Sequence, residues 1–208
     1  MKTSSETRQI IKYIAGIFFF VTIFLYGCVT RGQGFIVENN DLYVHKYSGV
    51  EFPKKLASFQ RIKIRNYDYS GYEVSASYHL HEPVQAVTTI YVYPDTISGG
   101  VMNIELQFEN IKSSIIVYHE NAEWLGDLDV EYGHKIDNLQ GKKATFIIQD
   151  EASFDGQQVT AYVFLFKRDM WFIELQITYP RNLPNTIEKE VDRFLNSLRV
   201  RNTILFKG

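Results

Sequence analysis

Beyond residue 34 the apolar positions recur mostly with a period of two, the signature of strands that bury one face. Tyr72, Val74, Ala76, Tyr78 and Leu80 alternate with Glu73, Ser75, Ser77, His79 and His81. Trp171, Ile173, Leu175, Ile177 and Tyr179 alternate in the same way with Phe172, Glu174, Gln176 and Thr178. From Val159 to Phe166 both faces are largely apolar, which predicts a central strand covered on both sides. Weaker strand patterns run near 34–38, 41–47, 59–69, 86–93, 127–136 and 143–149. Breaks containing Gly or Pro separate many of these runs. Asp155-Gly156, between two β-rich runs, reads as a hairpin turn.

Two segments change to helical spacing. Ile104, Phe108, Ile111, Ile115 and Tyr118 line one face after the Ser98-Gly99-Gly100 break. Ile187, Val191, Leu195 and Leu198 form a second stripe, with Pro184 ahead of it and Asn185 and Glu188 spaced as a capping pair. Strands joined by short turns pair antiparallel. The expected fold class is therefore α+β: a twisted antiparallel β-sheet packed by two amphipathic helices, their stripes wide enough to cover much of one sheet face. No internal repeat and no shift in composition marks a second domain.

The N-terminus follows another pattern. Lys2, Arg8 and Lys12 precede fifteen uncharged residues, Tyr13 to Gly27, and the chain's one cysteine follows as Cys28. A basic head followed by an apolar run of this length reads as a secretory signal peptide. Leu25-Tyr26-Gly27-Cys28 resembles a bacterial lipobox, with an aliphatic residue at −3 and a small residue at −1, although Tyr26 departs from the small residue preferred there. That resemblance implies lipid attachment at Cys28. The competing reading is a membrane anchor with an incidental cysteine. The uncharged run from Tyr13 to Thr30 is eighteen residues, at the short end of the roughly 17–25 that span a bilayer. Both readings export the remainder, because the basic residues hold the N-terminus inside. The expected organisation is residues 1–27 as signal peptide or anchor, 28–34 as tether and 35–208 as one domain. Val29 lacks the acidic character of the inner-membrane retention pattern, so the lipoprotein resemblance implies an outer-membrane address where the envelope has one.

Composition narrows the classes further. The chain of 208 residues is 45% hydrophobic and 22% charged, too apolar for a disordered protein. Without residues 1–27 it carries 19 Lys+Arg against 23 Asp+Glu, a net charge of −4. Such a domain lacks the basic surplus that nucleic acid or anionic lipid requires. A single cysteine excludes an intramolecular disulfide and a multi-cysteine metal site.

The order of elements carries a second resemblance. Gly141-Lys-Lys-Ala-Thr-Phe-Ile-Ile-Gln149, Val159–Lys167, Trp171–Pro180 and the helix through Leu198-Arg199-Val200 resemble the PsbP-like α/β sandwich. That fold is shared by PsbP proteins, the Ran-binding Mog proteins and DcrB-type bacterial lipoproteins. The specific echo is Trp171-Phe-Ile-Glu-Leu175, then Tyr179-Pro180 and an amphipathic helix ending Phe194-Leu-Asn-Ser-Leu198. The resemblance implies a binding or assembly factor without catalytic residues. It carries over no site residue and implies no cofactor.

Three constellations are candidates for chemistry. Arg61, Lys63 and Arg65 form a period-two basic stripe that continues into Tyr67 and Tyr69, suited to an anionic headgroup, a glycan or an acidic partner segment. Its bland alternative is an edge strand blunted by charge. His79 and His81 would share one strand face and begin a zinc or copper site, but they lack a third ligand. Asp127, Asp129 and Glu131 line a strand face that would suit calcium or paired acid–base work, or simply a solvated face. No Gly-x-Ser-x-Gly elbow or Gly-rich phosphate loop is present. The expected function is a lipid-anchored extracytoplasmic binding or assembly protein of the cell envelope, held to the membrane by its N-terminal lipid and partnered by a protein or envelope component. The alternative is a metal-dependent or hydrolytic envelope enzyme using the acidic strand or the His pair.

Overall fold

Thirteen strands and two helices follow one another in a computed structural model that describes residues 34–37, 40–82, 84–97, 100–132, 139–150, 153–182 and 184–201. The strands are β1 (Phe35–Ile36), β2 (Leu42–Val44), β3 (Glu51–Pro53), β4 (Lys55–Leu56), β5 (Phe59–Asn66), β6 (Val74–Leu80), β7 (Ala86–Pro94), β8 (Thr96–Ile97) and β9 (Gly100–Val101). After helix α1 (Ile104–Tyr118) come β10 (Glu123–Tyr132), β11 (Leu139–Asp150), β12 (Gln157–Arg168) and β13 (Trp171–Pro180), and helix α2 (Pro184–Ser197) closes the series. Among the described residues nine strands form one sheet in the order β1-β5-β6-β7-β13-β12-β11-β10, with β4 also paired to β5. Every pairing in it is antiparallel. All these elements belong to the unit Phe35–Gly208. The signal-peptide pattern, Cys28 and Ser98-Gly99 lie outside the described residues.

The long hairpins follow from local chemistry. Asp155 and Gly156 both take positive φ, 50° and 73°, the backbone that matches a tight turn to the right-handed twist of its strands. β12 lies between β11 and β13, and its residues from Val159 to Phe166 are buried on both faces. Asn103 caps α1 by accepting a hydrogen bond from the Leu106 amide at 2.7 Å. α2 begins at Pro184, so Asn185 stands inside its first turn rather than at the cap. Proline suits that first position because its missing N–H would have no partner there.

The sheet separates two cores, and the helices lie on opposite faces rather than sharing one. On the first face Ile187, Val191, Phe194 and Leu195 of α2 pack with Ile173, Leu175 and Ile177 of β13, Tyr78 of β6, and Val50 and Phe52 of the β2–β3 segment. On the second, Phe108 and Ile111 of α1 pack with Val159, Ala161, Val163 and Leu165 of β12 and Ala144, Phe146 and Ile148 of β11. Period two supplies this division: odd residues of β12 meet α1 and even ones meet α2. The apolar stripe of α1 stops at Ile115. Tyr118, the last residue of α1, is 75% exposed.

Candidate functional site

Three cross-strand rows on the α1 face define the site. One runs Arg65–Ser75–Tyr91–Glu174–Leu165 across β5, β6, β7, β13 and β12. The next runs Lys63–Ser77–Thr89–Gln176–Val163, and the third His79–Val87–Thr178–Ala161. The first two rows change from polar to apolar between β13 and β12, and the third carries the apolar Val87 between His79 and Thr178. Helix α1 packs on β11 and β12, over the apolar half. The other half presents a basic margin on β5 and a floor of hydroxyl and amide groups on β6, β7 and β13.

The floor is tied together locally. Tyr67 Oη and Ser75 Oγ are 3.0 Å apart, and Ser77 Oγ and Thr89 Oγ1 are 3.3 Å apart. Ser75 and Ser77 are buried between their longer neighbours, whereas Lys63, Arg65, Thr89, Tyr91 and Gln176 are half-buried. Glu174 is 4% exposed and accepts hydrogen bonds from Tyr93 Oη at 2.8 Å and Gln176 Nε2 at 2.7 Å. Gln107 of α1 donates to Tyr93 Oη at 2.9 Å, so the carboxylate is positioned from the helix side. Burial pulls the His79 imidazole below its ordinary pKa, and the charges of His81 and Lys63 act in the same direction. The face therefore brings together the basic Lys63 and Arg65, the buried Glu174 and an imidazole, His79, whose burial favours its neutral form.

The structure divides the basic stripe. A β-bulge between Arg61 and Lys63 leaves Ile62 without a cross-strand partner, so Arg61 falls opposite Tyr78 while Lys63 and Arg65 fall opposite Ser77 and Ser75. Arg61 thus points to the α2 face, 5% exposed, and donates to the carbonyls of Phe52 and Asn40. It clamps the β2–β3 segment to the sheet and is no part of an outer basic surface. Tyr67 joins the polar face through Ser75. Tyr69 lies beyond β5, is 95% exposed, and packs on Phe35 with ring centroids 4.9 Å apart. His79 is on the polar face, but β6 ends at Leu80 and His81 is exposed, its ring 6.0 Å from that of His79. Among the described residues no group of three His, Cys, Asp or Glu side chains is placed to hold a metal ion.

The acidic strand takes part in an ion-pair network. Asp127 and Asp129 border a hollow of about 240 Å³ between α1 and β10–β11, with Glu105 and Glu109 on the helix side. Lys112 reaches Asp127 at 2.5 Å and Glu109 at 2.9 Å, and Lys142 reaches Asp129 at 3.0 Å and Glu105 at 3.9 Å. Burial would lower the Lys112 pKa, but the two carboxylates outweigh it and leave it raised. The hydrogen bond that Lys142 donates to Asp129 raises its own pKa in the same way. Glu131 stands further along β10, opposite Gln140.

Ser75, Ser77, Thr89, Tyr91 and Gln176 were not singled out by the sequence reading. Their signal was present as the polar half of each alternation, but only the register puts the polar halves of four strands side by side. No protein-family model matches the chain, and no curated protein sequence matches it either. Among the described residues no helix is long and apolar enough to cross a membrane.

Proposed function

We propose that the chain is a lipid-anchored, extracytoplasmic binding protein of the cell envelope, with its lipid on Cys28 and its partner on the polar half of the α1 face. The partner is a polar envelope component, a glycan or an acidic protein segment, held by hydrogen bonds and by the Lys63 and Arg65 cations. The domain is assigned to the PsbP-like α/β sandwich, a reading supported by the helices on opposite faces and by the long β11–β12–β13 meander leading into α2. Extracytoplasmic placement rests on the basic head, apolar run and cysteine of residues 1–28. The absence of an acidic residue after Cys28 favours the outer membrane where there is one.

One observation carries the binding role: a sheet face divided lengthwise, apolar where α1 covers it and rich in hydroxyl, amide and basic groups beyond it. Strands in the middle of a sheet ordinarily bury apolar residues on both faces when helices flank them. Polar residues in matching rows on four neighbouring strands make a surface that can exchange water for a hydrogen-bonding ligand. A photo-crosslinking residue at Thr89, introduced into the full chain in intact cells, tests this. A discrete adduct is expected, and Lys63→Glu with Arg65→Glu is expected to abolish it. An adduct that persists through the double charge reversal, or none at all, would overturn the assignment.

A further inference from the structure

We infer that the β1 edge of the domain is a membrane-contact surface, in which Phe35, Ile36 and Tyr69 enter the interfacial region of the bilayer that holds the N-terminal segment. The inference rests on the anchored reading proposed above. β1 is the terminal strand of the sheet and the first element after the tether. Its pairing fixes Phe35 opposite Asn66 and Ile36 opposite Arg65, and the Val37 amide donates to the Ile64 carbonyl at 3.1 Å. Phe35 and Ile36 nevertheless remain 48% and 72% exposed, and the ring that meets Phe35, Tyr69, is 95% exposed. Phe35 and Tyr69 thus stand together where the chain enters the domain, and Ile36 is exposed on the other face of the same edge.

Connectivity identifies what covers them. Phe35 is seven residues beyond Cys28, a reach of about 25 Å at full extension. An anchored chain therefore keeps this edge close to the lipid surface. The side chains suit that location, because aromatic rings with one polar tip settle at the headgroup level and aliphatic ones enter the acyl boundary. The neighbouring carboxylate is already engaged: Asp68 accepts hydrogen bonds from the Tyr72 amide at 3.2 Å and the Glu73 amide at 2.6 Å. Arg65 adjoins Ile36 in register. With the mature chain at −4, general attraction to anionic lipid does not drive the contact, so apolar insertion must carry it and salt should not release it.

The full chain carrying Tyr69→Trp, reconstituted in phosphatidylcholine vesicles with lipids brominated near the glycerol, tests the contact against the native Trp124 and Trp171 background. The emission added by the new indole is expected to fall about twofold or more, and equally at high salt. Leu128→Trp, on β10 at the opposite end of the sheet order, is expected to be unquenched. Unquenched emission at 69, or equal quenching at 128, would overturn the inference. Mass measurement of acylation at Cys28 separates the two readings. Quenching at 69 without acyl chains keeps the contact and rejects the lipid anchor. Acylated chains that float with the vesicles but are unquenched at 69 keep the anchor and reject the contact. Chains that do not float reject both.

Discussion

Arg61 and Lys63 stand two positions apart and do unrelated work. The Arg61 guanidinium is buried and ties two backbone carbonyls, of Phe52 and Asn40, to the sheet, while Lys63 belongs to the half-buried polar face. Removing a buried donor leaves its acceptors dry and unpaired, which costs more than the bond itself contributed. Arg61→Ala is expected to destabilise the protein by about 2–4 kcal/mol, and Lys63→Ala to change stability by no more than about 0.5 kcal/mol. Urea unfolding of the two variants measures both. Equal losses would contradict the assignment of the two side chains to opposite faces. Only Lys63 and Arg65 should then affect binding, which separates loss of a partner from loss of fold.

The bulge at Ile62 makes the difference between those neighbours, and it marks the boundary of what a periodic reading reaches. Strands β5, β6, β7, β11 and β13, the bounds of α1 from Ile104 to Tyr118, the Asp155-Gly156 turn and the doubly buried β12 all follow from local spacing and turn chemistry. The bulge does not, because an unpaired residue is defined by the partner strand. The opposite placement of the helices is likewise set by how the chain crosses the sheet, and both stripes look alike in sequence. The same limit applies to the polar face and to the carboxylates on β10, whose Lys112 and Lys142 partners come from α1 and β11. Deleting Ile62 would make Arg61 and Lys63 consecutive residues opposite Tyr78 and Ser77, so simple alternation returns and every side chain of β5 keeps its face. Phe59, fully buried with its ring 4.7 Å from that of Phe194, stays in the core. The deletion is therefore expected to cost no more than about 2 kcal/mol, and Ile62→Ser, at a site 48% exposed, under about 0.5 kcal/mol. Thermal unfolding measures both, and a deletion variant that fails to fold would show that β5 needs the bulge for more than the facing of its side chains.

At the scale of the molecule, one end of the sheet is closed by segments far apart in sequence. Val50 bridges to Val200, the Glu51 amide donates to Arg199 O and the Arg201 amide to Gly49 O, both at 2.9 Å, and Arg168 Nη1 donates to Val200 O at 2.9 Å. Gly49 has φ +74°, and a Cβ there would run into the Arg201 carbonyl, so glycine is required twice over. His45 lies beneath this junction, 0% exposed, its ring edge-on to Trp171 with centroids 5.0 Å apart. The Gly71 carbonyl, 2.8 Å from Nε2, can only accept, and the Ser48 amide, 3.1 Å from Nδ1, can only donate, so Nε2 carries the proton and Nδ1 accepts. The ring is therefore held neutral. Burial lowers its pKa, and the Gly71 hydrogen bond and the Asp68 charge offset this only in part. The unfolded chain takes up this proton near its ordinary pKa of about 6.5, before the folded one does. His45's contribution to stability is thus complete above that pH and is lost progressively as the pH falls toward the lower folded value. His79 acts in the same direction from the polar face. Melting temperatures are expected to decline from about pH 7.5 to about pH 5, with a shallower slope in His45→Gln than in His79→Gln, because the more deeply enclosed ring has the closed junction above it. An unchanged slope in His45→Gln would show that the junction does not sense protonation of this ring.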